Sequence, residues 1–221
     1  MKPYLAPIVI CIAGLAILLN LGAWQIRRLE WKEAILAEID ARIVGEATTL
    51  PASFDRDRDR YLPVEVEGVF TGERLRVLTS VPGVGPGALI IEVMETDGRR
   101  ILVDQGFRSE AAGSIDVGAQ EGTVLGNVHW PDEIRSSTPE PEFDLWFARD
   151  ADLMAARLGT EPVMVIASDV TRGTPLSTPQ PVDTGAIPND HLLYAITWFG
   201  LAAVWLGMTL YWVSRIRART R

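Results

Sequence analysis

A histidine that heads a series of aromatic residues is the part of this sequence with the clearest chemical potential. His191 is followed by Tyr194, Trp198, Trp205 and Trp212, which lie 3, 7, 14 and 21 residues later. Because seven residues make nearly two helical turns, the spacing predicts that all five side chains share one slowly drifting helix face. A histidine beside flat aromatic rings in an apolar helix suits an axial haem ligand. The same pattern also fits a histidine and aromatic residues that anchor a helix among lipid headgroups.

A second group of residues near the start of the chain could complete such a site. Asn20, Trp24, Arg28 and Trp31 recur at intervals of four, four and three residues, and Arg27 adjoins Arg28. Guanidinium groups pair with carboxylates through two parallel hydrogen bonds, so the two arginines could hold haem propionates. Contact with phospholipid headgroups is the alternative use of arginines at this depth.

Two uncharged apolar segments carry these residues. Leu5–Ala23 and Leu192–Val213 contain no charged side chain. At a rise of about 1.5 Å per residue each would span roughly 28 to 33 Å, which is the hydrocarbon thickness of a bilayer. The pattern predicts two transmembrane α-helices, at 5–23 and at 191–213. The first segment could instead be a cleaved signal peptide, but its long apolar run and the helical pattern that continues from Trp24 favour a retained helix.

Charges beside the two segments predict the sidedness of the chain. The positive-inside rule places residues 1–4 and the basic tail 214–221 in the cytoplasm. Residues 24–190 would then face the periplasm of a bacterium or the intermembrane space of a mitochondrion. Lys32 and the two arginines before it oppose this assignment, so that basic cluster needs a local explanation. The tail contains four arginines: Arg215, Arg217, Arg219 and Arg221.

The composition of the middle region excludes several classes of function. It holds all 29 acidic residues against 16 basic ones, a net charge of −13, so no nucleic-acid binding is expected. The single cysteine, Cys11, allows no disulfide within the chain. No nucleophile elbow, P-loop, zinc-protease or C-x-x-C motif occurs, and His129 is the one other histidine. The sequence therefore predicts no enzyme, although a membrane-anchored periplasmic enzyme that uses acidic residues stays as an alternative.

Periodicity in the middle region predicts a single α+β domain, mainly antiparallel sheet, or a small barrel. The helical pattern of the first segment continues to Ile43, and a short helix at Asp150–Leu158 ends at Gly159. Asp97-Gly98 predicts a tight hairpin, and Gly68 and Gly72 are expected in a turn between the first two strands. Six strands are predicted, at 61–69, 74–79, 88–95, 100–105, 123–130 and 163–167. The second apolar segment also carries small residues suited to close helix contact, namely Gly200, Ala203 and Gly207.

Motifs at both ends of the chain resemble those of the Surfeit locus protein family of cytochrome c oxidase assembly factors. The first resembles a W-Q-x-x-R-x-x-W-K pattern and the last an N-x-H-x-x-Y-A-x-T-W-F pattern. Between them the resemblance is looser, and Asp104-Gln105-Gly106-Phe107 departs from the family's N-R-G-W-like turn. The matching residues are Trp24, Gln25, Arg28, Trp31 and Lys32 at one end, and Asn189, His191, Tyr194, Ala195, Thr197, Trp198 and Phe199 at the other.

The resemblance implies a role in maturing the haem–copper oxidase, in the delivery or insertion of haem a into its large membrane subunit. It implies transient haem a binding, with His191 as the ligand of the iron. The partners it implies are that large subunit, haem a synthase, other assembly factors and the lipid bilayer of a bacterial or mitochondrial inner membrane. A scaffold that binds an oxidase subunit without contacting haem is the competing hypothesis. The other expected haem contacts are Arg28, Arg27, Trp24, Tyr194 and Trp198.

Overall fold

The computed structural model of the chain describes residues 5–185 and 187–219. The expected cytoplasmic residues 1–4 and the end of the basic tail, 220–221, lie outside them. Two compact units emerge, one made of residues 1–38 and 184–221 and the other of residues 39–183. Helix α1 spans Leu5–Ile43 without interruption, and helix α3 spans His191–Arg219. Both are long and apolar enough to cross a membrane.

A closed β-barrel forms the middle unit. Strand β1 (Pro63–Val81) pairs through its first half with β4 (Gln120–His129) and through its second half with β2 (Gly85–Thr96). Strands β3 (Arg99–Ser109) and β6 (Met164–Arg172) complete the ring in the order β1-β2-β3-β6-β4. Closure removes the unpaired edges that an open sheet would expose.

Most of the strand pairs in this barrel are antiparallel, as the sequence predicted. The exceptions are β3 with β6, and the two-residue strand β5 (Leu145–Trp146), which pairs with the second half of β1. The hairpin between β2 and β3 turns at Asp97 and Gly98, both at positive φ, as a two-residue turn of this type requires.

The first two predicted strands are one continuous strand. The expected turn at Gly68 and Gly72 is wrong: β1 runs through both glycines and changes register between Phe70 and Arg74. Gly72 adopts a φ of 88°, which is open to glycine at little cost and allows the bulge. β1 pairs with β4 up to Phe70 and with β2 from Val69 onward, so Val69 and Phe70 have a partner on both sides.

The core of the barrel follows the alternation of side chains along its strands. Val64, Val66 and Phe70 of β1 are buried in one cluster with apolar residues of the other barrel strands. The opposite face of β3 and β6 is covered by helix α2 (Ala151–Leu158), whose Met154 packs there. This double cover explains why residues 101–107 of β3 are all buried. Helix α2 has the predicted boundaries, with Asp150 accepting from Leu153 N at its start and Gly159 left-handed at its end.

A buried ion pair lies among these apolar residues. Arg172 Nη1 is 2.8 Å from Glu92 Oε2, and both side chains are fully buried. Gln105 donates to the same carboxylate at 2.5 Å and accepts from Arg172 at 3.2 Å. The Arg172 guanidinium also lies 4.3 Å from the ring centre of Phe70. Gln105 belongs to the segment that departs from the family turn, and the structure places that segment inside β3.

Candidate functional site

Helices α1 and α3 pack against each other as an antiparallel pair within their unit. The indole Nε1 of Trp205 donates to the carbonyl of Cys11 at 3.2 Å. Farther along α1, a Cβ added to Gly22 would lie 2.7 Å from the ring of Phe199. Gly22 therefore leaves room for the Phe199 ring against α1, as small residues do at helix interfaces.

The contact face of α3 differs from the predicted one. Ala195 and Ala202 are buried, whereas nothing lies within 4 Å of a Cβ built on Gly200 or Gly207. The prediction that Gly200, Ala203 and Gly207 form the contact face is therefore wrong. The buried alanines lie seven residues apart, and His191, Trp198 and Trp205 have the same spacing of seven residues. Gly200 and Gly207 instead lie on a face of α3 that has no neighbour within 4 Å of an added Cβ.

At one end of this helix pair, His191 contacts Gln25. The Nδ1 atom of His191 lies 2.8 Å from Oε1 of Gln25. Gln25 is only 8% exposed, and His191 is half-buried. Next to this contact Lys32 Nζ donates to the carbonyl of Pro188, which joins α1 to the segment before α3. Two polar contacts thus hold α1, one to the first residue of α3 and one to the segment before it.

The remaining predicted site residues lie on exposed surfaces of the two helices. Arg27 and Arg28 are exposed, and Trp24 is 50% exposed. The Arg28 guanidinium carbon lies 4.0 Å from the ring centre of Trp31, which is a cation–π contact. The structure therefore brings Gln25 to His191 and leaves these three residues beside solvent or lipid.

Tyr194 and Trp212 depart from the face that contains His191. Tyr194 is 55% exposed and Trp212 is 53% exposed, while Trp198 is half-buried. The prediction that all five side chains share one helix face is therefore only partly correct. Tyr194 comes three residues after His191, which is less than a full helical turn.

Comparison with known proteins gives a consistent result across nearly the whole chain. The model of the SURF1 family matches residues 12–203. That match includes most of α1, the complete barrel and the first half of α3. The chain belongs to the SURF1 family.

Individual relatives of this SURF1-family chain agree with that match. Surfeit locus protein 1 of Rattus norvegicus is 30% identical over 91% of this chain and 72% of its own length. Surfeit locus protein 1 of Homo sapiens is 30% identical over 83% of this chain and 70% of its own length. A SURF1-like protein of Monosiga brevicollis is 28% identical over 87% of this chain and 82% of its own length.

The contact with Gln25 determines the chemistry open to His191 in this SURF1-family chain. An amide oxygen only accepts, so the imidazole Nδ1 must carry the proton and donate it. In the neutral ring the lone pair is then on Nε2, the nitrogen free to bind a metal. Metal-binding histidines commonly donate their other N–H in this way, and the contact orients the ring as well as fixing its tautomer.

The described residues fit a haem better than a bare metal ion. Across residues 5–185 and 187–219, no three His, Cys, Asp or Glu side chains come together as a metal site. A bare ion needs several protein ligands, whereas a haem brings four nitrogen ligands and needs one or two from the protein. A single histidine with a fixed tautomer meets that smaller requirement, and His191 is the residue that would hold the iron.

The sequence interpretation missed Gln25 as a site residue. A signal was present, because Gln25 belongs to the W-Q-x-x-R-x-x-W-K-like motif and is an amide on an otherwise apolar helix face. Trp24 and Arg28 were predicted as site residues instead, because one is aromatic and the other is charged. A glutamine that supports a histidine becomes evident only when the pairing of α1 with α3 is known.

Proposed function

We propose that this chain assists the assembly of cytochrome c oxidase by holding haem a for transfer to the large membrane subunit. The contact between Gln25 Oε1 and His191 Nδ1, at 2.8 Å, carries this proposal. It leaves Nε2 of His191 as an oriented ligand at the end of an apolar helix pair. Haem a held there would have His191 as its single protein ligand, which would permit its release to a partner.

The exposed residues around His191 support transfer over permanent storage. Tyr194 and Trp24 are about half exposed, so they offer flat apolar surface without enclosing a ligand. Arg27 and Arg28 are exposed cations on the same helix as Gln25, suited to the carboxylates of haem propionates. An open surface of this kind allows a large ligand to pass to a partner.

The acidic residues of the barrel support a role without catalysis. The two carboxylates buried most deeply each have an arginine partner, since Glu92 pairs with Arg172 and Asp104 lies 2.9 Å from Arg149. Neither of these two buried carboxylates is therefore a free acid or base. The proposal is therefore an assembly factor and not a periplasmic enzyme.

The proposed location is a bacterial inner membrane, with the barrel in the periplasm and both termini in the cytoplasm. Reporter fusions test this orientation. A reporter that works only after export should be active when inserted at Gly113, an exposed loop position at the end of a short 3₁₀ helix. A cytoplasmic reporter fused after Arg221 should also be active. Activity of an export-dependent reporter at Arg221 would contradict the orientation.

Haem content of the purified protein tests the proposed ligand. The full chain is expressed in cells that make haem a, purified in detergent, and assayed for haem by absorbance after extraction. His191→Ala should lose most of the bound haem, because it removes the imidazole Nε2 proposed as the iron ligand. His129→Phe, which removes the other histidine, is the matched control and should retain haem. Equal haem in wild type and His191→Ala would instead favour a scaffold that binds an oxidase subunit without touching haem.

A further inference from the structure

The barrel unit contains a large half-open cavity beside the second half of β1. Its volume is about 970 Å³, within the range of about 300–1,000 Å³ that ligand pockets occupy. One wall is the face of the β1–β2 hairpin formed by Leu78, Ala88 and Ile90, and the segment after β3 closes the other side with Ile115. Leu78 is 45% exposed, which is unusual for a large apolar side chain in a concave site.

Two arginines at this cavity differ from most others of the barrel unit. Arg74 donates to the carbonyls of Gly72 and Val117. Arg108 donates to the carbonyls of Leu176, Ala112 and Gly113. Neither forms an ion pair with a carboxylate in the described part of the chain. Elsewhere in the unit, arginines do pair with acids: Arg56 with Asp152, Arg58 with Asp59, Arg99 with Glu161, Arg100 with Glu73, and Arg149 with Asp104.

The charges that line the cavity leave an excess of positive charge. Arg76 is neutralised by Asp144, whose Oδ2 lies 2.7 Å from its Nε. Glu110 is the other acid in the lining, against Arg74 and Arg108. Such an excess is unexpected in a region whose net charge is −13. Within the described residues, Arg74 Nη1 and Arg108 Nε are also buried without a hydrogen-bond partner, which costs free energy.

We propose that this cavity binds a small amphipathic carboxylate, with its apolar body against Leu78 and Ile90 and its anionic end toward Arg74 and Arg108. The apolar wall selects the body, and the two cations select the charge. A phosphate polymer is disfavoured, because the acidic surface around the cavity would repel it. The site is independent of His191 and of the proposed haem function.

Ligand binding to the full chain tests the proposal directly. The protein is placed in nanodiscs of zwitterionic lipid, with empty nanodiscs as the background. The probe is 6-(4-fluorophenyl)hexanoate, whose binding is followed by ¹⁹F NMR line broadening, and 6-(4-fluorophenyl)hexylamine is its cationic counterpart. We expect saturable binding of the carboxylate alone above background.

Three variants assign that binding to the cavity. Leu78→Trp places a larger ring over the apolar wall that would hold the ligand body, and it should weaken binding. Arg74→Met should weaken binding about 10-fold, while Arg74→Lys, which keeps the charge, should lose less. Arg56→Met removes an exposed arginine that does not line the cavity, and it should bind like wild type. Circular dichroism melting curves show whether each variant folds. If Arg74→Met does not fold, the binding measured with Leu78→Trp tests the proposal.

Three results would overturn the proposal. One is equal binding of the carboxylate and the amine, which would show partition into an apolar surface. A second is no saturable binding above empty nanodiscs, and a third is binding that Leu78→Trp leaves unchanged.

Discussion

Gln25 Oε1 accepts a hydrogen bond from Nδ1 of His191 at 2.8 Å, so a residue of α1 sets the tautomer of a residue of α3. The two residues are 166 positions apart in the sequence. Gln25 is buried at this contact, so water does not compete for the imidazole N–H. Which nitrogen of His191 carries the lone pair therefore depends on the contact between α1 and α3 and not on His191 alone.

Removing the Gln25 acceptor should weaken haem binding while His191 remains. Gln25→Leu keeps the size of the side chain and loses its oxygen, so we expect an approximately 10-fold rise in the Kd for haem, the usual effect of deleting such a support. Gln25→Glu keeps an acceptor and should retain binding. Haem titration of the detergent-purified full chain, followed by absorbance, measures both.

Asn20→Leu is the matched control for Gln25→Leu. It removes an exposed amide from the same helix and should leave the Kd unchanged. If Gln25→Leu binds haem as tightly as wild type, the tautomer of His191 is not set by this contact.

Arg28 should be more sensitive to lysine substitution than Arg27. The planar guanidinium of Arg28 stacks over Trp31 at 4.0 Å, and a lysine ammonium has neither that plane nor the two-point geometry that fits a carboxylate. Arg28→Lys should therefore reduce haem retention, and Arg27→Lys should reduce it less. Haem per protein after gel filtration measures the difference. Wild-type retention in both variants would mean that the arginines serve lipid headgroups.

The buried pair of Arg172 and Glu92 should dominate the stability of the barrel. Arg172→Met leaves a buried carboxylate without its cation, and we expect the free energy of unfolding to fall by about 3–5 kcal/mol. The double variant Arg172→Met/Glu92→Met removes both charges and should recover part of that loss. Urea unfolding followed by tryptophan fluorescence gives the values.

An exposed ion pair provides the comparison for Arg172. Arg56→Met breaks the pair with Asp152, in which both side chains are about half exposed, and it should cost at most about 1 kcal/mol. If Arg172→Met costs no more than Arg56→Met, the buried pair contributes little and the apolar cluster alone holds the barrel.

His129 should make the barrel less stable in acid. Burial lowers the pKa of His129 from 6.5 to about 4, and the positive charges of Arg60 and Arg149 act in the same direction. Between these two values the unfolded chain binds a proton that the folded chain does not, so stability falls as the pH drops from 6.5 toward 4. The loss should reach about 2 kcal/mol, allowing for partial exposure of the ring.

His129→Phe isolates this effect. Phenylalanine can keep the stacking of the ring on Tyr61, at 5.1 Å between ring centres, while it removes the titrating group. Its unfolding free energy should change less between pH 6.5 and 4.5 than that of wild type. Equal slopes in the two proteins would contradict the assignment to His129.

Local patterns in the sequence were enough to predict most elements. The continuous helix through Trp24 to Ile43, the Asp97-Gly98 hairpin and the end of α2 at Gly159 are present as expected, and Asp150, predicted as the first residue of α2, is its N-cap. Each depends on residues close in sequence, where apolar spacing and glycine geometry act directly. The two apolar end segments are recognisable for the same reason.

Features that depend on distant residues could not be predicted in this way. The bulge in β1 has the same sequence signal as a turn, because glycine is common in both bulges and turns. Only the pairing of β1 with both β2 and β4 shows that the segment is a bulge. The sequence does not show that Gln105 and Arg172 are buried side by side in the barrel. Which face of α3 meets α1 was also missed, because small residues occur on more than one face and Gly200, Ala203 and Gly207 were preferred to Ala195 and Ala202.

The position of β6 between β3 and β4 has a consequence for the order of synthesis. β6 is the last strand to be made, and it is inserted into the middle of the ring. Until Arg172 has been translated, β3 and β4 each keep an open edge and Glu92 lacks its cation. Synthesis therefore passes through an incomplete barrel whose open edges are prone to aggregate. It can close only when residues just ahead of α3 emerge, so completion of the barrel and arrival of the second apolar helix are nearly simultaneous events.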